Sequence, residues 1–369
     1  MVLEHLSIIN YKNVEQADLY LSPKINCFLG NNGMGKTNLL DAIYYLSFCK
    51  SYTNPIDSQN INHDSDFAVI QGWYNIHDKK EEFFCSLKRR QKKHFKRNKK
   101  EYEKLSDHIG FLPLVMISPS DTDLITGGSD DRRRFMDVVL SQFDKEYLHS
   151  LIKYNKALQQ RNALLKADDS KTDNMLFELW EDEMVKEGSL IHERRKNFIE
   201  KFIPTFQKFY DFICQSNEKV SLRYESHLEN ADFTALLSQK RERDKILGYS
   251  SVGIHKDDLD MQLDDYSIKR VGSQGQNKTY VVALKLAQFD FLLQSGTTTP
   301  ILLLDDIFDK LDSSRVEQIV ELVLGKEFGQ IFITDTNREH LDDILKNSNS
   351  PYHLYRVDNG LVEQIKEQV

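Results

Sequence analysis

Residues 24–48 run Lys24-Ile25-Asn26-Cys27-Phe28-Leu29, then Gly30-Asn31-Asn32-Gly33-Met34-Gly35-Lys36-Thr37, then Asn38 onward with Leu39, Leu40, Ile43 and Leu46. The first stretch reads as a strand and the last as a helix with one apolar face. The loop between them matches GxxxxGK[ST]. Its glycines let backbone N–H groups turn inward around a β-phosphate, and the helix that starts at Lys36 adds its positive dipole end. Lys36 is placed to reach the β- and γ-phosphates of ATP, and Thr37 to hold Mg²⁺. Strand, Gly-rich loop and helix in that order are the context that separates a phosphate site from a chance turn.

Working outward, a second apolar strand, Ile301-Leu302-Leu303-Leu304, ends in Asp305-Asp306. In company with the loop this reads as a Walker B strand. Asp305 holds Mg²⁺ through water, and Asp306 orients or deprotonates the water that attacks the γ-phosphate. Alone, such a strand could equally be a buried strand with acids at a helix cap. About 30 residues earlier, Gly272-Ser273-Gln274-Gly275-Gln276 opens a helix carrying Val281, Val282, Leu284, Leu286 and Phe289. A Ser-x-Gly-Gln turn at a helix start can hold an anion. Such turns are common, and order and spacing relative to the other two motifs give this one its weight.

Composition sets the frame. No apolar run approaches the ~18 residues of a membrane span. The first residues alternate and lack the basic and apolar regions of a signal peptide. Cys27, Cys49, Cys85 and Cys214 form no CxxC pair, which suits a reducing cytosol and a cytoplasmic location. The formal net charge is −8, yet Lys88–Lys100 holds nine basic residues in thirteen. An acidic chain with one dense basic strip can bind a polyanion locally. Lys92, Lys93, Lys96 and Arg97 are therefore candidate DNA contacts, with a solvated hairpin as the alternative. Arg132 and Arg133 sit in the first turn of a helix, where cations oppose the dipole, which hints at a partner, DNA or a facing subunit, with a solvated first turn as the alternative. His255 and Lys256 could touch DNA or shape a turn.

Leu6 and Ile8 begin a first strand, and residues 67–95 suggest a hairpin bearing the basic strip. Ser129 or Asp130 is expected to cap one long helix running through Phe135, Leu148 and Leu158. Lys166–Asp173 is a polar break, and a further helix through Trp180, Met184, Phe198 and Phe202 is expected to meet Pro204. Strands resume near Leu222. The expectation is an α/β fold: an ATPase lobe of residues 1–120 and 250–369, and a helical lobe of residues 121–249 inserted into it.

A P-loop near the start, with Ser-x-Gly-Gln and Walker B near the end, resembles an ABC-type ATPase head of the SMC kind. Asp309-Lys310-Leu311-Asp312 resembles its D-loop, and Leu6–Asn13 its opening strand, which adds Lys12, Asn13, Asn38 and Asp312 to the candidate nucleotide contacts. Within that class the chain resembles the RecF family. The residues that carry this are Ser118-Pro119-Ser120-Asp121, Arg132–Asp137, Gly253-Ile254-His255-Lys256-Asp257-Asp258 and Gly272–Thr279. The resemblance implies a P-loop ABC/SMC-like head with an inserted antiparallel helical lobe and no long coiled coil. It further implies an ATP-dependent homodimer in which Ser273 of one chain caps the γ-phosphate held by Lys36 of another. Slow DNA-stimulated ATP hydrolysis, duplex and gapped DNA as ligand, and RecR with RecO as partners in loading recombinase complete the implied set. Where ABC heads carry a switch histidine, this chain has Thr334-Asp335-Thr336, and His340 lies further on. Another soluble SMC-like ATPase head, or a DNA scaffold that binds ATP without hydrolysing it, are the alternatives.

Overall fold

The structure is a computed structural model that describes residues 1–167, 174–215, 218–308, 311–325, 328–338, 345 and 350–368. It divides into two compact units: residues 1–121 with 212–214 and 282–369, and residues 122–211 with 215–281.

The first unit is built on two sheets. One is antiparallel and runs in the order β2-β1-β4-β5-β6-β7. Its strands are β1 (Val2–Tyr11), β2 (Val14–Tyr20), β4 (Phe67–Ile76), β5 (Lys79–Lys88), β6 (His94–Arg97) and β7 (Lys100–Glu101). His77 and Asp78 join β4 to β5 with φ of 49° and 61°, the two left-handed residues a tight hairpin needs. The other sheet runs β15-β14-β3-β13-β12-β8. It comprises β3 (Ile25–Leu29), β8 (Leu114–Ile117), β12 (Ile301–Asp305), β13 (Ile331–Asp335), β14 (Tyr352–Asp358) and β15 (Leu361–Gln368). All neighbours in it are parallel except β14 and β15.

Helix α1 (Lys36–Phe48) touches β1, β4 and β5 of one sheet and β8, β12 and β13 of the other. Sandwiched in this way it is buried on nearly every side, from Leu39 through Phe48, as an all-round apolar helix must be. The Gln330 side chain ties the sheets together. It accepts from the Leu3 N–H and donates to the Leu3 and Ser22 carbonyls, each at 2.8 Å.

The second unit carries α2 (Asp123–Thr126), α3 (Ser129–Phe143), α4 (Lys145–Lys166), α6 (Phe233–Leu247), α7 (Ile268–Val271) and most of α5 (Asn174–Cys214). It also holds a sheet in the order β11-β10-β9, made of β9 (Val220–Glu225), β10 (Asp258–Leu263) and β11 (Tyr266–Ser267). β10 pairs antiparallel with β9 along its whole length, and residues 250–281 therefore fold with this unit although a lobe boundary was expected at 249/250. Ser273 and the first turns of α8 (Gln274–Ser295) belong to it as well.

One helical expectation is corrected and another is extended. The long helix after residue 129 breaks at Asp144, whose carboxylate caps α4 by accepting the Tyr147 N–H, while α3 starts at Gly128 with no side-chain cap. Pro204 does not end α5, which continues to Cys214. A proline removes one N–H donor, and here flanking packing compensates, since Phe202, Phe206 and Tyr210 are fully buried.

Candidate nucleotide and DNA sites

The parallel strands β3, β12, β13 and β8 all end on the same edge of their sheet, where open α/β sheets bind ligands. The loop after β3 opens there. Gly35 lies at φ 111°, and a Cβ on it would meet the Asn13 side chain at 2.8 Å. Glycine is needed for both reasons. Asn13 in turn accepts from the Asn38 amide at 2.7 Å. Met34 fixes the loop from the other side, its carbonyl accepting the Gly360 N–H at 2.8 Å. Asn32, Gly33, Gly35, Lys36, Thr37, Asn38 and Asp306 line a cavity of about 180 Å³. The buried Lys36 ammonium donates to the carbonyls of Gly30 (2.9 Å) and Asn31 (3.3 Å) and lies 3.8 Å from the Asp306 carboxylate.

The structure also brings the predicted Mg²⁺ ligands together. The Thr37 hydroxyl donates to both Asp305 oxygens at 2.9 and 3.0 Å. A hydroxyl and one carboxylate suit Mg²⁺, which takes few protein oxygens and completes its shell with water and phosphate. Burial is the main reason the Asp305 carboxyl is raised above the ordinary aspartate range, and the Asp306 charge adds to it; Thr334, Thr37 and Lys36 pull the other way. A cation beside Asp305 would relieve that cost.

Thr334, which the sequence placed only where ABC heads carry a switch histidine, sits in the site. Its hydroxyl donates to Asp305 Oδ1 at 2.8 Å and accepts the Asp306 N–H at 3.0 Å. The signal was present, because Thr334 ends the strand beside Walker B and pairs with Asp305. Asp306 itself sits at φ 44°, a left-handed backbone that a non-glycine residue adopts at a cost and that recurs at functional sites. His340, Asp309 and Lys310 lie outside the described residues.

The Lys12 ammonium lies 2.5 Å from the buried Asp41 and 2.6 Å from Thr53. Asp41 also accepts from Tyr11, Ser51 and the Tyr52 N–H. Asp312 caps α9 (Ser313–Val323) by accepting the Arg315 N–H.

In the second unit, Ser273 and Gln276 form a reciprocal capping box at the start of α8. The Ser273 N–H donates to the Gln276 side chain at 2.9 Å and the Gln276 N–H to the Ser273 hydroxyl at 3.2 Å. Gln276 is further held by Glu218 at 2.7 Å, and the Gly275 carbonyl accepts from Thr279. Ser273 itself is exposed.

Several of the DNA candidates have partners within the chain. The half-buried Lys93 donates to the Cys49 carbonyl at 2.6 Å and the Tyr45 hydroxyl at 3.1 Å, and pairs with Asp57 at 3.0 Å. It closes the C-terminus of α1, where a cation meets the negative dipole end. Arg97 forks onto Glu81 at 2.7 and 2.9 Å and lies over the Phe111 ring. Arg132 clamps Asp258 through two bonds of 2.6 and 2.9 Å, and Arg133 reaches Asp130 and the Asp257 carbonyl. Lys92 is exposed and Lys96 half-buried, and among the described residues neither meets a carboxylate.

The segments Arg132–Asp137 and Gly253–Asp258 thus meet each other. At their centre the buried Arg195 bonds Asp137 and Asp257, each at 2.8 Å, the Ile254 carbonyl and the Tyr147 hydroxyl. His255 Nε2 donates to the Ser250 carbonyl at 3.0 Å, so in the neutral ring Nδ1 accepts from the Tyr154 hydroxyl at 2.8 Å. His255 and Arg132 thus both bond within this unit.

A phosphate-loop lysine facing a Walker B acid at one edge of a parallel sheet defines a P-loop nucleotide-binding head. Residues 2–363 match the family model described as the RecF/RecN/SMC N terminal domain. The chain belongs to this family, among its RecF members. It is 63% identical over 366 residues to the DNA replication and repair protein RecF of Bacteroides thetaiotaomicron, covering 99% of both chains. It is 50% identical over 359 residues to that of Flavobacterium johnsoniae, covering 97% of this chain and 100% of the relative. A solved structure described as the recombination mediator protein RecF-ATP in the RecFOR pathway superposes with a TM-score of 0.88 at 28% identity, covering 99% of this chain and 98% of that one. An SMC head domain from Pyrococcus furiosus shares the fold, with a TM-score of 0.59 at 16% identity over 99% of this chain and 96% of that one. No described helix is long and apolar enough to cross a membrane.

Proposed function

We propose that this protein is an ATP-dependent DNA-binding mediator of recombinational repair. It dimerises with ATP on DNA, hydrolyses the nucleotide slowly, and helps load recombinase at gapped single-stranded DNA. The observation that carries the reading is the pairing of Lys36 with Asp306 and of Thr37 with Asp305 at one cavity. The names of the RecF relatives, and the RecF-ATP structure, support it.

In this reading the loop N–H groups and the Lys36 ammonium hold the β- and γ-phosphates. Thr37 and Asp305 hold Mg²⁺, which when bound neutralises charge on the phosphate oxygens. Thr334 fixes Asp305 and the Asp306 backbone, and the Asp306 carboxylate takes the proton of the attacking water. The Ser273 turn completes the site from the partner subunit, so ATP joins two heads and its hydrolysis releases them. RecR, with RecO, is the protein partner that the RecF resemblance implies.

Sedimentation velocity with ADP, with ATP, and with ATP plus gapped DNA tests this. Monomer with ADP and dimer with ATP on DNA is expected. A monomer under all three conditions would refute the reading. A stable ATP dimer that releases no phosphate would favour the non-catalytic scaffold.

A further inference from the structure

The phosphate loop carries one of the chain's two Asn-Gly pairs, Asn32-Gly33; the other is Asn359-Gly360. An asparagine before glycine is open to attack on its side-chain amide by the next backbone nitrogen, because glycine has no side chain to hinder the approach. The attack depends on how firmly the fold holds that nitrogen.

The two pairs differ in this respect. Residues 31–34 form a turn closed by a single long bond, from the Met34 N–H to the Asn31 carbonyl at 3.4 Å. Gly33 takes the third position at φ 80°, where a type II turn calls for glycine. Asn32 and Gly33 are both exposed, and a Cβ on Gly33 would meet nothing within 4 Å. Among the described residues no hydrogen bond engages the Asn32 amide or the Gly33 N–H. Asn359-Gly360 instead joins β14 to β15, with the Gly360 N–H donating to the Met34 carbonyl at 2.8 Å and the Asn359 amide to Asp358 at 3.0 Å. A Cβ on Gly360 would lie 2.1 Å from the Asn13 carbonyl oxygen, so the backbone there is packed and its nitrogen cannot swing.

We propose that Asn32 is a self-modification site: in the nucleotide-free protein it loses its amide to attack by the Gly33 nitrogen, and the product disables the loop. The Gly33 nitrogen bonds to Asn32 Cγ, the Cγ–Nδ2 bond breaks, and ammonia leaves with the proton that the Gly33 nitrogen gives up, closing a cyclic imide. Water opens the imide at one carbonyl or the other, leaving an aspartate or an isoaspartyl link that routes the backbone through the side chain. One amide and one water give one carboxylic acid and one ammonia, with no oxidant or reductant. Either product sets a negative charge beside the cavity that Asn32, Gly33 and Lys36 line, where it repels phosphate. A bound nucleotide opposes the reaction, because its phosphates engage the loop N–H groups; this protection rests on the nucleotide reading above. Chains that stand empty are the ones marked.

Ageing the full chain in warm, mildly alkaline buffer, with and without a non-hydrolysable ATP analogue and Mg²⁺, tests this. Peptide mass spectrometry and labelled methyl transfer by an isoaspartyl methyltransferase follow both Asn-Gly pairs. Asn32 should convert in the nucleotide-free sample while Asn359 stays an amide. Analogue at roughly ten times its Kd should slow that conversion about tenfold. The converted protein should bind the analogue at least about tenfold more weakly, with an unchanged circular dichroism spectrum. Asn32→Ser, which has no amide to lose, should keep its own starting affinity throughout. An Asn32 that converts no faster than Asn359, in a parent that binds the analogue, overturns the proposal alone, as does an Asn32→Ser variant that loses affinity as fast as the parent. Equal conversion with the analogue bound overturns the protection. A parent that binds no analogue when fresh overturns the nucleotide reading and the protection with it.

Discussion

The Thr334 hydroxyl donates to Asp305 Oδ1 at 2.8 Å while holding the Asp306 N–H at 3.0 Å. One side chain thus sets the position of the carboxylate proposed to hold Mg²⁺ and the backbone of the one proposed to act on water. Thr334→Val keeps the shape and removes both bonds. A hydrogen bond to a charged group contributes about 1.5–3 kcal/mol, so Mg²⁺-dependent ATP turnover should fall at least tenfold. Thr334→Ser should restore it. Parent-level turnover in the valine variant would remove Thr334 from the machinery.

Lys36→Ala should abolish productive ATP binding, because the phosphates lose the ammonium inside the loop. Titration with a fluorescent ATP analogue reads this directly. Normal affinity together with ATP-dependent dimerisation in that variant would sink the P-loop assignment.

Ser273→Arg loses the capping box of α8, at about 1 kcal/mol of stability, and places a bulky cation at the proposed partner interface. Monomer ATP binding should stay within about twofold while the ATP dimer disappears from sedimentation profiles. Persistence of the dimer would contradict completion of the site from the partner subunit.

The internal role of Lys93 separates it from its neighbours. Replacing Lys92 and Lys96 by Gln should reduce the duplex salt slope by about 1.8, at roughly 0.9 per phosphate contact, without lowering the melting temperature. Lys93→Met should instead cost about 1–3 kcal/mol of stability, since the α1 terminus and Asp57 lose their partner, and leave the slope alone. The opposite pattern would return Lys93 to the DNA surface.

Burial lowers the His255 pKa to about 4, against about 6.5 in an unfolded chain. Between these values the unfolded chain binds the extra proton, so this residue's contribution to stability is complete above pH 6.5 and declines as the pH falls toward 4. His255→Gln should flatten that part of the stability profile in urea melts at pH 7, 6 and 5. An unchanged profile would mean that other groups govern it.

What was legible in the sequence follows from how locally it is encoded. The strand, loop and helix around Gly30–Thr37 lie within 25 consecutive residues, and the β12 strand with Asp305-Asp306 is a single apolar run. Both need little beyond periodicity and spacing. The break at Asp144 was masked because apolar positions continue from α3 into α4, although Asp144 with Tyr147 three residues later is a capping pattern. The partners of the basic candidates were not readable at all. Lys93 finds the Cys49 carbonyl 44 residues away and Arg132 finds Asp258 126 residues away, and no local pattern announces such partners. Thr334 is intermediate: its position at a strand end was visible, but its bond to Asp305 depends on the β12–β13 register.

The central claim is that ATP holds two subunits on DNA until Asp306 lets water cleave it. Asp306→Asn keeps the shape but cannot accept a proton. The most direct measurement is the lifetime of the ATP dimer on gapped DNA, by single-molecule fluorescence, alongside phosphate release. Hydrolysis is expected to fall about 10²–10⁴-fold, with ATP affinity kept or tightened and the dimer persisting correspondingly longer than the parent's. An Asp306→Asn protein that releases phosphate at the parent rate, or leaves DNA as quickly, would contradict the assignment of this carboxylate and the ATP-gated clamp built on it.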